Sequence, residues 1–553
     1  MNDRPFPWAG LLVLVLGAFM SILDGSIINV ALPRLMSIFG VTPDEIQWVM
    51  TAYLLASGVV VPVTGYLGDR FGYKRTYIYS LAAFTVGSAL CGLAWNNNSL
   101  IAFRVVQALG GGMLIPLSMA LIYRMVRRQQ IGMAMGVWGI AATMAPAIGP
   151  TLGGYLVDYY SWQLIFTINI PVGIIAVILS YLFIEETPLI KGLKFDVSGA
   201  ALCCSGLFCL LLALSQGQDQ GWTSQYIVTL FLLAGFLLLI FCLWELHTPH
   251  PMLDLRLFTN RVFTASIAAV SLTAVAMFAA IFLIPLYCQS LQGLTPMQTG
   301  LLMMPMALAT GFMMPISGKL FDKIGALPLG LAGLSIAAFF TWLLGFINLE
   351  TSFLYLQLLL VLRAMGLGLC MMPISNAGMN TIPPALVGRA SAINNLFRQI
   401  SASLGIAYMT YIMLDRQARH AVWLSDGVNW TSPPAVEAYQ RVSQAASLSL
   451  GPGAGDQASL SYLNLMVQKQ AMVLGIGDAL LVSALLAALT IPLLFLLSKD
   501  RVEEARQKEK VRYAHLLTPG LPGGPSSSPP GPSAGAAPGT PVPPMGRPAP
   551  ATK

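Results

Sequence analysis

The sequence predicts an all-α polytopic membrane protein with fourteen transmembrane helices, arranged as six, two and six. Three observations support this: 56% of the 553 residues are hydrophobic, only 10% are charged, and the apolar residues occur in long unbroken runs. A soluble domain has about 25% charged residues, whereas a helix that crosses a bilayer needs about 20 mainly apolar ones. The runs are too long for β-barrel strands, which alternate over about ten residues.

Charged residues and turns rich in Gly, Pro and Asn separate the apolar runs and define the predicted helices. The first run resembles a signal peptide, but it is long for one and many spans follow, so we expect an uncleaved helix. The predicted helices cover residues 11–32, 47–67, 77–95, 100–123, 134–156, 162–184, 197–215, 226–246, 263–287, 298–318, 327–348, 353–374, 397–414 and 472–497.

The basic residues predict that both chain termini are cytoplasmic, because Lys and Arg in short loops mark the cytoplasmic side of a membrane. With that orientation, the short outer loops contain only Arg34. The inner loops contain Arg70, Lys74, Arg75, Arg124, Arg127, Arg128, Lys191, Lys194, Arg256, Arg261, Lys319, Lys323 and Arg389. The net charge of +7 is therefore explained by orientation in the bilayer, and we expect no nucleic-acid partner.

Two segments lie outside the predicted helices. The long outer loop 415–470 has a Gly/Pro/Ser-rich middle and fits either a solvated cap or a docking surface for an outer adaptor. The cytoplasmic tail 501–553 is almost entirely Pro, Gly, Ala and Ser from about residue 518. Such a composition cannot bury a core, so we expect this part of the tail to be disordered.

An internal repeat divides the chain into two halves. Glycine, acid, base and glycine recur at the same spacing in Gly65–Gly72 and Gly318–Gly325, and Arg104 and Arg363 recur at nearly the same displacement. These coincidences fall at equivalent places if the seventh and eighth helices are an insertion. The predicted units are a first six-helix half at 1–190, two inserted helices at 191–255 and a second six-helix half at 256–500.

Four segments of the chain contain sequence motifs. In chain order they are Leu23–Pro33, 65–75 (GYLGDRFGYKR), Arg104–Gly112 and Ala145–Gly154. The loop segment resembles the signature of the major facilitator superfamily. The other three are similar to first-, fourth- and fifth-helix motifs of its fourteen-helix drug:proton antiporters, the EmrB/QacA type.

The resemblance implies the major facilitator fold and a multi-pass location in the cytoplasmic membrane of a bacterium. It also implies proton-driven export of drugs or other lipophilic or cationic small molecules by alternating access. Export of an endogenous metabolite, lipid or peptide by the same mechanism is the alternative. A non-transporting membrane sensor fits less well, and an enzyme would need a catalytic cluster or soluble domain, neither of which the sequence contains.

Four charged residues inside the apolar runs are the candidates for proton coupling and substrate binding. Asp24 and Arg104 are predicted at similar depth, and charges in hydrocarbon cost several kcal/mol unless they are paired or hydrated. Burial favours the protonated form of Asp24 whereas Arg104 favours the ionised form, which is the physics of a proton carrier. A static ion pair that joins two helices is the alternative. Asp478 and Arg363 are the further candidates.

The repeated loop is the predicted cytoplasmic gate. Its residues are Gly65, Asp69, Arg70, Gly72 and Arg75, with Asp322 in the second copy. The bases alone fit a positive-inside anchor, but that interpretation leaves the acid and the glycines unexplained. A latch between the halves explains them, because Asp69 can reach a helix N-terminus or a basic partner, while the glycines permit a tight turn.

The fifth-helix segment contains Pro146, Gly149, Pro150, Gly153 and Gly154. Small residues allow a neighbouring helix to approach closely, and the prolines favour kinks. Packing alone and a flexible contact that sets antiport geometry both fit this pattern.

No metal, cofactor or disulfide is expected. The seven cysteines lie in or beside apolar runs and the four histidines lack ligand spacing. The sequence also lacks the P-loop pattern of ATP hydrolysis.

Overall fold

The computed structural model describes residues 7–127, 130–186, 196–248, 251–428, 431–450 and 454–513. Within these ranges the regular elements are helices. They are α1 (Trp8–Phe39), α2 (Pro43–Val60), α3 (Val63–Phe71), α4 (Tyr73–Gly92), α5 (Asn97–Met125), α6 (Ile131–Tyr159), α7 (Leu164–Thr167), α8 (Asn169–Phe183), α9 (Val197–Gln220), α10 (Gln225–His247), α11 (Arg261–Ser290), α12 (Pro296–Ile324), α13 (Ala326–Leu344), α14 (Phe353–Met379), α15 (Val387–Gly427), α16 (Pro433–Leu450), α17 (Ala454–Leu494) and α18 (Lys499–Arg512). The tail segment predicted to be disordered lies outside the described residues.

Every predicted span coincides with a helix or with two consecutive helices. Ten helices of the described chain are long and apolar enough to cross a membrane, or up to twelve if each bent pair is one span. One such pair is α2 and α3, which meet at 54° around Pro62, where the missing amide hydrogen interrupts the helix. α4 and α15 are not among the helices that meet this criterion of length and apolar composition. The count of fourteen spans and the location of the termini therefore stay predictions.

The two halves share helix boundaries as well as loops. α2 begins with a capping box formed by Thr42 and Glu45, and α12 begins with the same device formed by Thr295 and Gln298. Each box satisfies backbone amides that have no partner within the helix. The repeat therefore extends to how equivalent helices start.

The repeated loops also turn in the same way. Gly72 and Gly325, which end the two loop copies, have φ of +89° and +85°. Because side chains rarely tolerate positive φ, glycine is favoured at both turns.

Helix contacts separate the chain into two bundles with a helix pair between them. α1 packs on α5, α6 and α8, while α11 packs on α14, α15 and α17. The bundles meet where α12 lies along α6 and where α15 crosses α3 and α5. α9 and α10 pack on each other, and α9 also lies against α2 and α15. These contacts fit the predicted units, whose boundaries remain predictions.

Most of the described residues in the predicted outer loop 415–470 are helical, which corrects the prediction of a loop. α15 starts earlier than predicted and continues to Gly427, α16 follows, and α17 already begins at Ala454. The end of an apolar run marks the edge of the membrane, but the helix continues beyond it because Ala, Arg, Gln and Leu are good helix formers.

We expect Gly318→Val to destabilise the contact between α6 and α12. A Cβ atom at Gly318 would collide with the backbone carbonyl of Gly132, and overpacking of this kind typically costs about 1–3 kcal/mol. Thermal unfolding of the purified protein in detergent should show a lower midpoint. Gly235→Val on α10 is the matched control, because no atom lies within 4 Å of a Cβ there. Equal midpoints for the two variants would contradict this packing.

Candidate functional site

A buried ion pair joins α1 to α5. Asp24 and Arg104 are each 1% exposed, and the Arg104 guanidinium donates to Asp24 Oδ2 over 2.5 Å. The structure therefore brings together the two charges that the sequence singled out. Both charges are buried on helices long and apolar enough to cross a membrane, so neither charge would be stable there without the other.

Two amide side chains complete the surroundings of Asp24. Its Oδ1 accepts from Gln107 Nε2 over 2.8 Å and from Asn169 Nδ2 over 2.9 Å. Gln107 Oε1 accepts from Arg104 over 2.7 Å, and Gln107 Nε2 also donates to Ser88 Oγ. The resulting polar cluster, Asp24, Ser88, Arg104, Gln107 and Asn169, is contributed by α1, α4, α5 and α8.

Three residues of the polar cluster were not predicted from the sequence: Gln107, Asn169 and Ser88. Gln107 follows Arg104 by three positions, so the two share a helix face, and that spacing is a usable signal. Asn169 is a polar residue within an apolar run, which is also a signal. Ser88 carried none, because serine is common in membrane helices.

Arg104 has further partners besides Asp24. Its Nε donates to the carbonyl oxygen of Val49, and the guanidinium lies 4.0 Å from the ring centroid of Tyr53 and 5.7 Å from that of Phe166. Such cation–π contacts stabilise a desolvated guanidinium. Arg104 therefore has stabilising contacts that do not involve Asp24.

Arg363 occupies the equivalent place in the second half without an acid. It is 2% exposed and donates to Thr341 Oγ1 over 2.9 Å and to the carbonyl oxygen of Ala276 over 3.2 Å. Within the described chain it forms no ion pair. Its hydrogen bonds do not connect it to the polar cluster of the first half.

Asp478 belongs to a separate group on α15 and α17. Its Oδ2 lies 3.0 Å from His420 Nε2 and 3.8 Å from Arg416 Nε, and a third of its side chain is exposed. The structure therefore does not unite Asp478 with Asp24.

Asp69 connects the two halves at the end of the bundle that we call the inner end, which is predicted to be cytoplasmic. It is buried on α3, and Oδ2 lies 3.3 Å from Arg389 Nε at the start of α15. Oδ1 accepts from the Tyr73 hydroxyl over 2.8 Å and lies 3.4 Å from the Arg124 guanidinium. We refer to Asp69, Tyr73, Arg124 and Arg389 as the inner latch.

The neighbouring loop residues have different roles in the structure. A Cβ at Gly65 would lie 3.1 Å from the backbone of Arg389, so glycine allows α3 and α15 to approach. Arg70 donates to the Tyr66 hydroxyl, and Arg75 pairs with Glu186 on the exposed surface at 3.7 Å. Neither base joins Asp69.

The second loop copy also reaches across to the other half. Asp322, at the end of α12, accepts from the backbone amide of Gly132 over 3.2 Å. Gly132 lies in the first turn of α6, where free amides and the helix dipole favour a carboxylate. Both repeated aspartates therefore contact the opposite half.

The fifth-helix segment packs α6 against the helix that carries Asp24. A Cβ at Gly149 would collide with the Ser26 hydroxyl, and one at Gly153 would lie 2.8 Å from the carbonyl oxygen of Ile27. The remaining predicted positions on α6 are Pro146, which is exposed, Gly154, which is half-buried, and Pro150, whose side chain lies outside the described part of the structure. Close packing on α1 is thus the role visible for this segment.

In the described residues, no group of three or more His, Cys, Asp or Glu side chains could hold a metal ion. The seven cysteines are free thiols. The polar cluster consists of acid, base, amide and hydroxyl groups, and such groups can hold and exchange a proton or a cation.

The chain is similar to known membrane transporters. The family model described as Major Facilitator Superfamily matches residues 14–406. The multidrug resistance protein B homolog of Mycobacterium tuberculosis (strain ATCC 25618 / H37Rv) is 32% identical, covering 87% of this chain and 89% of that protein. The multidrug export protein EmrB of Haemophilus influenzae is 30% identical, covering 86% and 92%. The multidrug transporter protein MdtP of Bacillus subtilis is 34% identical, covering 72% and 74%.

Solved structures show the same fold at low sequence identity. The proton:xylose symporter XylE superposes with a TM-score of 0.53 at 13% identity, covering 87% of this chain and 94% of that one. The human organic anion transporter MFSD10 superposes with a TM-score of 0.55 at 14% identity, covering 88% and 100%.

We expect Asp24 and Arg104 to be strongly coupled in stability. Either single variant, Asp24→Asn or Arg104→Gln, should lower the free energy of unfolding, because removing one partner of a buried pair typically costs about 3–5 kcal/mol. The double variant should recover part of this loss. Unfolding in detergent by denaturant measures the cycle.

The control cycle uses Glu437→Gln and Arg441→Gln, an ion pair on α16 whose side chains are 63% and 77% exposed. Solvent screening should leave that pair without measurable coupling. If the two cycles gave the same coupling, the buried pair would not stabilise the fold in the way the structure indicates.

Proposed function

Because the chain belongs to the major facilitator superfamily, we propose that it is a proton-driven antiporter that exports drugs or other lipophilic and cationic small molecules by alternating access. The family match shows a membrane transporter, which supports transport as the function in preference to catalysis. With the bacterial relatives it confirms a multi-pass protein of the cytoplasmic membrane. Several relatives are named as multidrug exporters, which supports the proposed class of substrate.

The buried pair of Asp24 and Arg104 is the observation that carries the proposal. An antiporter needs one group for which proton and substrate compete, and a buried carboxylate serves both ligands because each neutralises its charge. Arg104 can release Asp24 and keep Gln107 Oε1, the Val49 carbonyl and the Tyr53 ring as partners. Asp24 is therefore able to exchange its counter-charge for a proton or a cationic substrate.

The inner contacts support alternating access. Besides the Asp69–Arg389 pair, the Tyr123 hydroxyl donates to Asn376 Oδ1 over 2.5 Å, and Ser391 donates to the Pro116 carbonyl over 3.0 Å. Each of these bonds joins the two halves, so opening the inner end requires all of them to break. We infer that the structure represents a state closed at the inner end, from which substrate leaves on the outer side.

The contacts between the two halves at the inner end are nearly symmetrical, because both repeated aspartates take part in them. Asp69 of the first half binds α15, whereas Asp322 of the second half binds the start of α6. Loss of either contact removes one of the restraints that hold the two halves together at the inner end. We therefore assign the gate to the aspartates, and we assign packing and turn formation to Gly65 and Gly72.

A partner protein at the outer side remains part of the proposal. The outer extension of α15, helix α16 and the start of α17 replace the expected loop. Val422 and Trp423 are 65% and 69% exposed there. Exposed aromatic and aliphatic groups on a polar segment are typical of docking surfaces.

We expect Asp24→Asn to abolish proton-driven transport. Purified protein in liposomes with a pH gradient is offered tetraphenylphosphonium, ethidium and rhodamine 6G, and cation accumulation and proton flux are recorded together. Because asparagine cannot carry a proton, both rates should fall at least about tenfold, as expected for loss of an essential acid–base group.

Glu437→Gln also replaces a carboxylate by its amide, but at an exposed site, and it should keep the wild-type rate. Wild-type accumulation that persists in Asp24→Asn would overturn the proposed coupling. A wild-type protein that transports none of the three cations would overturn the substrate class.

We expect Asp69→Asn to open the inner end. Spin labels at Phe71→Cys on α3 and Ile324→Cys on α12, both exposed positions, report the distance between the halves in a cysteine-free background. A hydrogen bond to a charged group contributes about 1.5–3 kcal/mol, so the population with a long distance should grow about tenfold or more. Glu186→Gln breaks an exposed pair within one half and should leave the distances unchanged. Unchanged distances in Asp69→Asn would contradict the latch.

A further inference from the structure

Asp24 is surrounded by hydrogen-bond donors. Arg104 donates to Oδ2, while Gln107 and Asn169 donate to Oδ1. This arrangement suits an ionised carboxylate, which only accepts. A protonated carboxyl is itself a donor and needs an acceptor close to the same position. If Asp24 carries the proton, as the proposed function states, a change of role in one of its three partners is the simplest way to supply this acceptor.

Two of the three partners are unable to change role at low cost. Arg104 has no acceptor atom. Gln107 is held at both ends of its amide, because Oε1 accepts from Arg104 over 2.7 Å and Nε2 donates to Ser88 over 2.7 Å. Turning this amide would place its N–H₂ group against the N–H groups of Arg104 and leave two buried donors facing each other.

Asn169 differs from Gln107 in this respect. Its Nδ2 donates to Asp24, and its Oδ1 accepts no hydrogen bond from any described residue. The side chain as a whole is buried, with 3% exposed. A half-turn about the last side-chain torsion exchanges oxygen and nitrogen, which are similar in size, and this torsion of asparagine is soft.

We propose that Asn169 responds to the protonation state of Asp24 by rotating its side-chain amide. With ionised Asp24, Nδ2 donates to the carboxylate. With protonated Asp24, the carboxyl O–H donates to Asn169 Oδ1, and Arg104 keeps its other partners. Both proton states of the buried acid are then satisfied, which matters because an unpaired buried polar group costs about 1–3 kcal/mol.

The location of Asn169 links this switch to the backbone. α7 ends at Thr167, and α8 begins at Asn169. A change of hydrogen bonding at that junction therefore acts at the boundary between two helical segments. Asn169 is a positioning residue: it acts through Asp24 and is not itself the proton carrier.

Two transport assays on the reconstituted protein separate this role from a structural one. Proton-driven accumulation requires Asp24 to gain and lose a proton, whereas counterflow of labelled against unlabelled cation at equal pH does not. Asn169→Leu, which is close in size but forms no hydrogen bonds, should lose accumulation at least about tenfold and keep counterflow within about twofold. Asn169→Gln retains an amide and should restore most of the accumulation.

The outcomes that overturn the inference differ from those that overturn the proposed function. Equal losses of accumulation and counterflow in Asn169→Leu would indicate a structural role, and full accumulation would show that the amide is not used. Failure of the proposed function is instead reported by Asp24→Asn, through accumulation that persists in that variant.

A spectroscopic readout does not depend on transport. The infrared C=O band of the protonated Asp24 carboxyl is assigned as the carboxyl band that Asp24→Asn lacks. If its O–H donates to Asn169, that band should shift in Asn169→Leu and return close to its original position in Asn169→Gln. An identical band in the wild type and the leucine variant would overturn the inference.

Discussion

The first half of the molecule is organised around one carboxylate in a membrane interior. A charge there is stable only with a counter-charge and with hydrogen bonds on its remaining lone pairs. Asp24 obtains the charge from Arg104 and the hydrogen bonds from Gln107 and Asn169. These groups come from α1, α5 and α8, so the helices must converge at one depth. The close approach of α6 at Gly149 then holds α1 in place.

The two halves keep the same loops but differ in their buried chemistry. The acid and base of the first half correspond to Arg363 with a hydroxyl and a backbone carbonyl in the second. The aspartates of the two loops, in contrast, both reach across to the opposite half. The buried acid that we propose as the proton carrier therefore lies in the first half only, whereas both halves contribute an aspartate to the contacts between them at the inner end. This arrangement allows the movement of the halves to be coupled to the binding of a proton or a cationic substrate at Asp24.

Hydropathy identifies the apolar segments of the chain, but some helices extend beyond these segments. All predicted spans match helices, because an apolar run of sufficient length has no other stable form in lipid. α15 ends later and α17 begins earlier than predicted, because the helices continue beyond the apolar runs through residues such as Arg419 and Ala454. The helices α16 and α18, which are polar, gave no hydropathic signal.

The sequence by itself determined the class of protein, the repeated halves, and Asp24 and Arg104 as charges that require partners. These are local facts, readable from composition, spacing and the cost of charge in hydrocarbon. Only the tertiary structure decided which partners are used: Asn169 for Asp24, Arg389 for Asp69, and a separate outer group for Asp478. The two members of each pair are far apart in the chain, so no periodicity of the sequence indicates that they meet. They exist because packed helices bring distant side chains to the same depth and face.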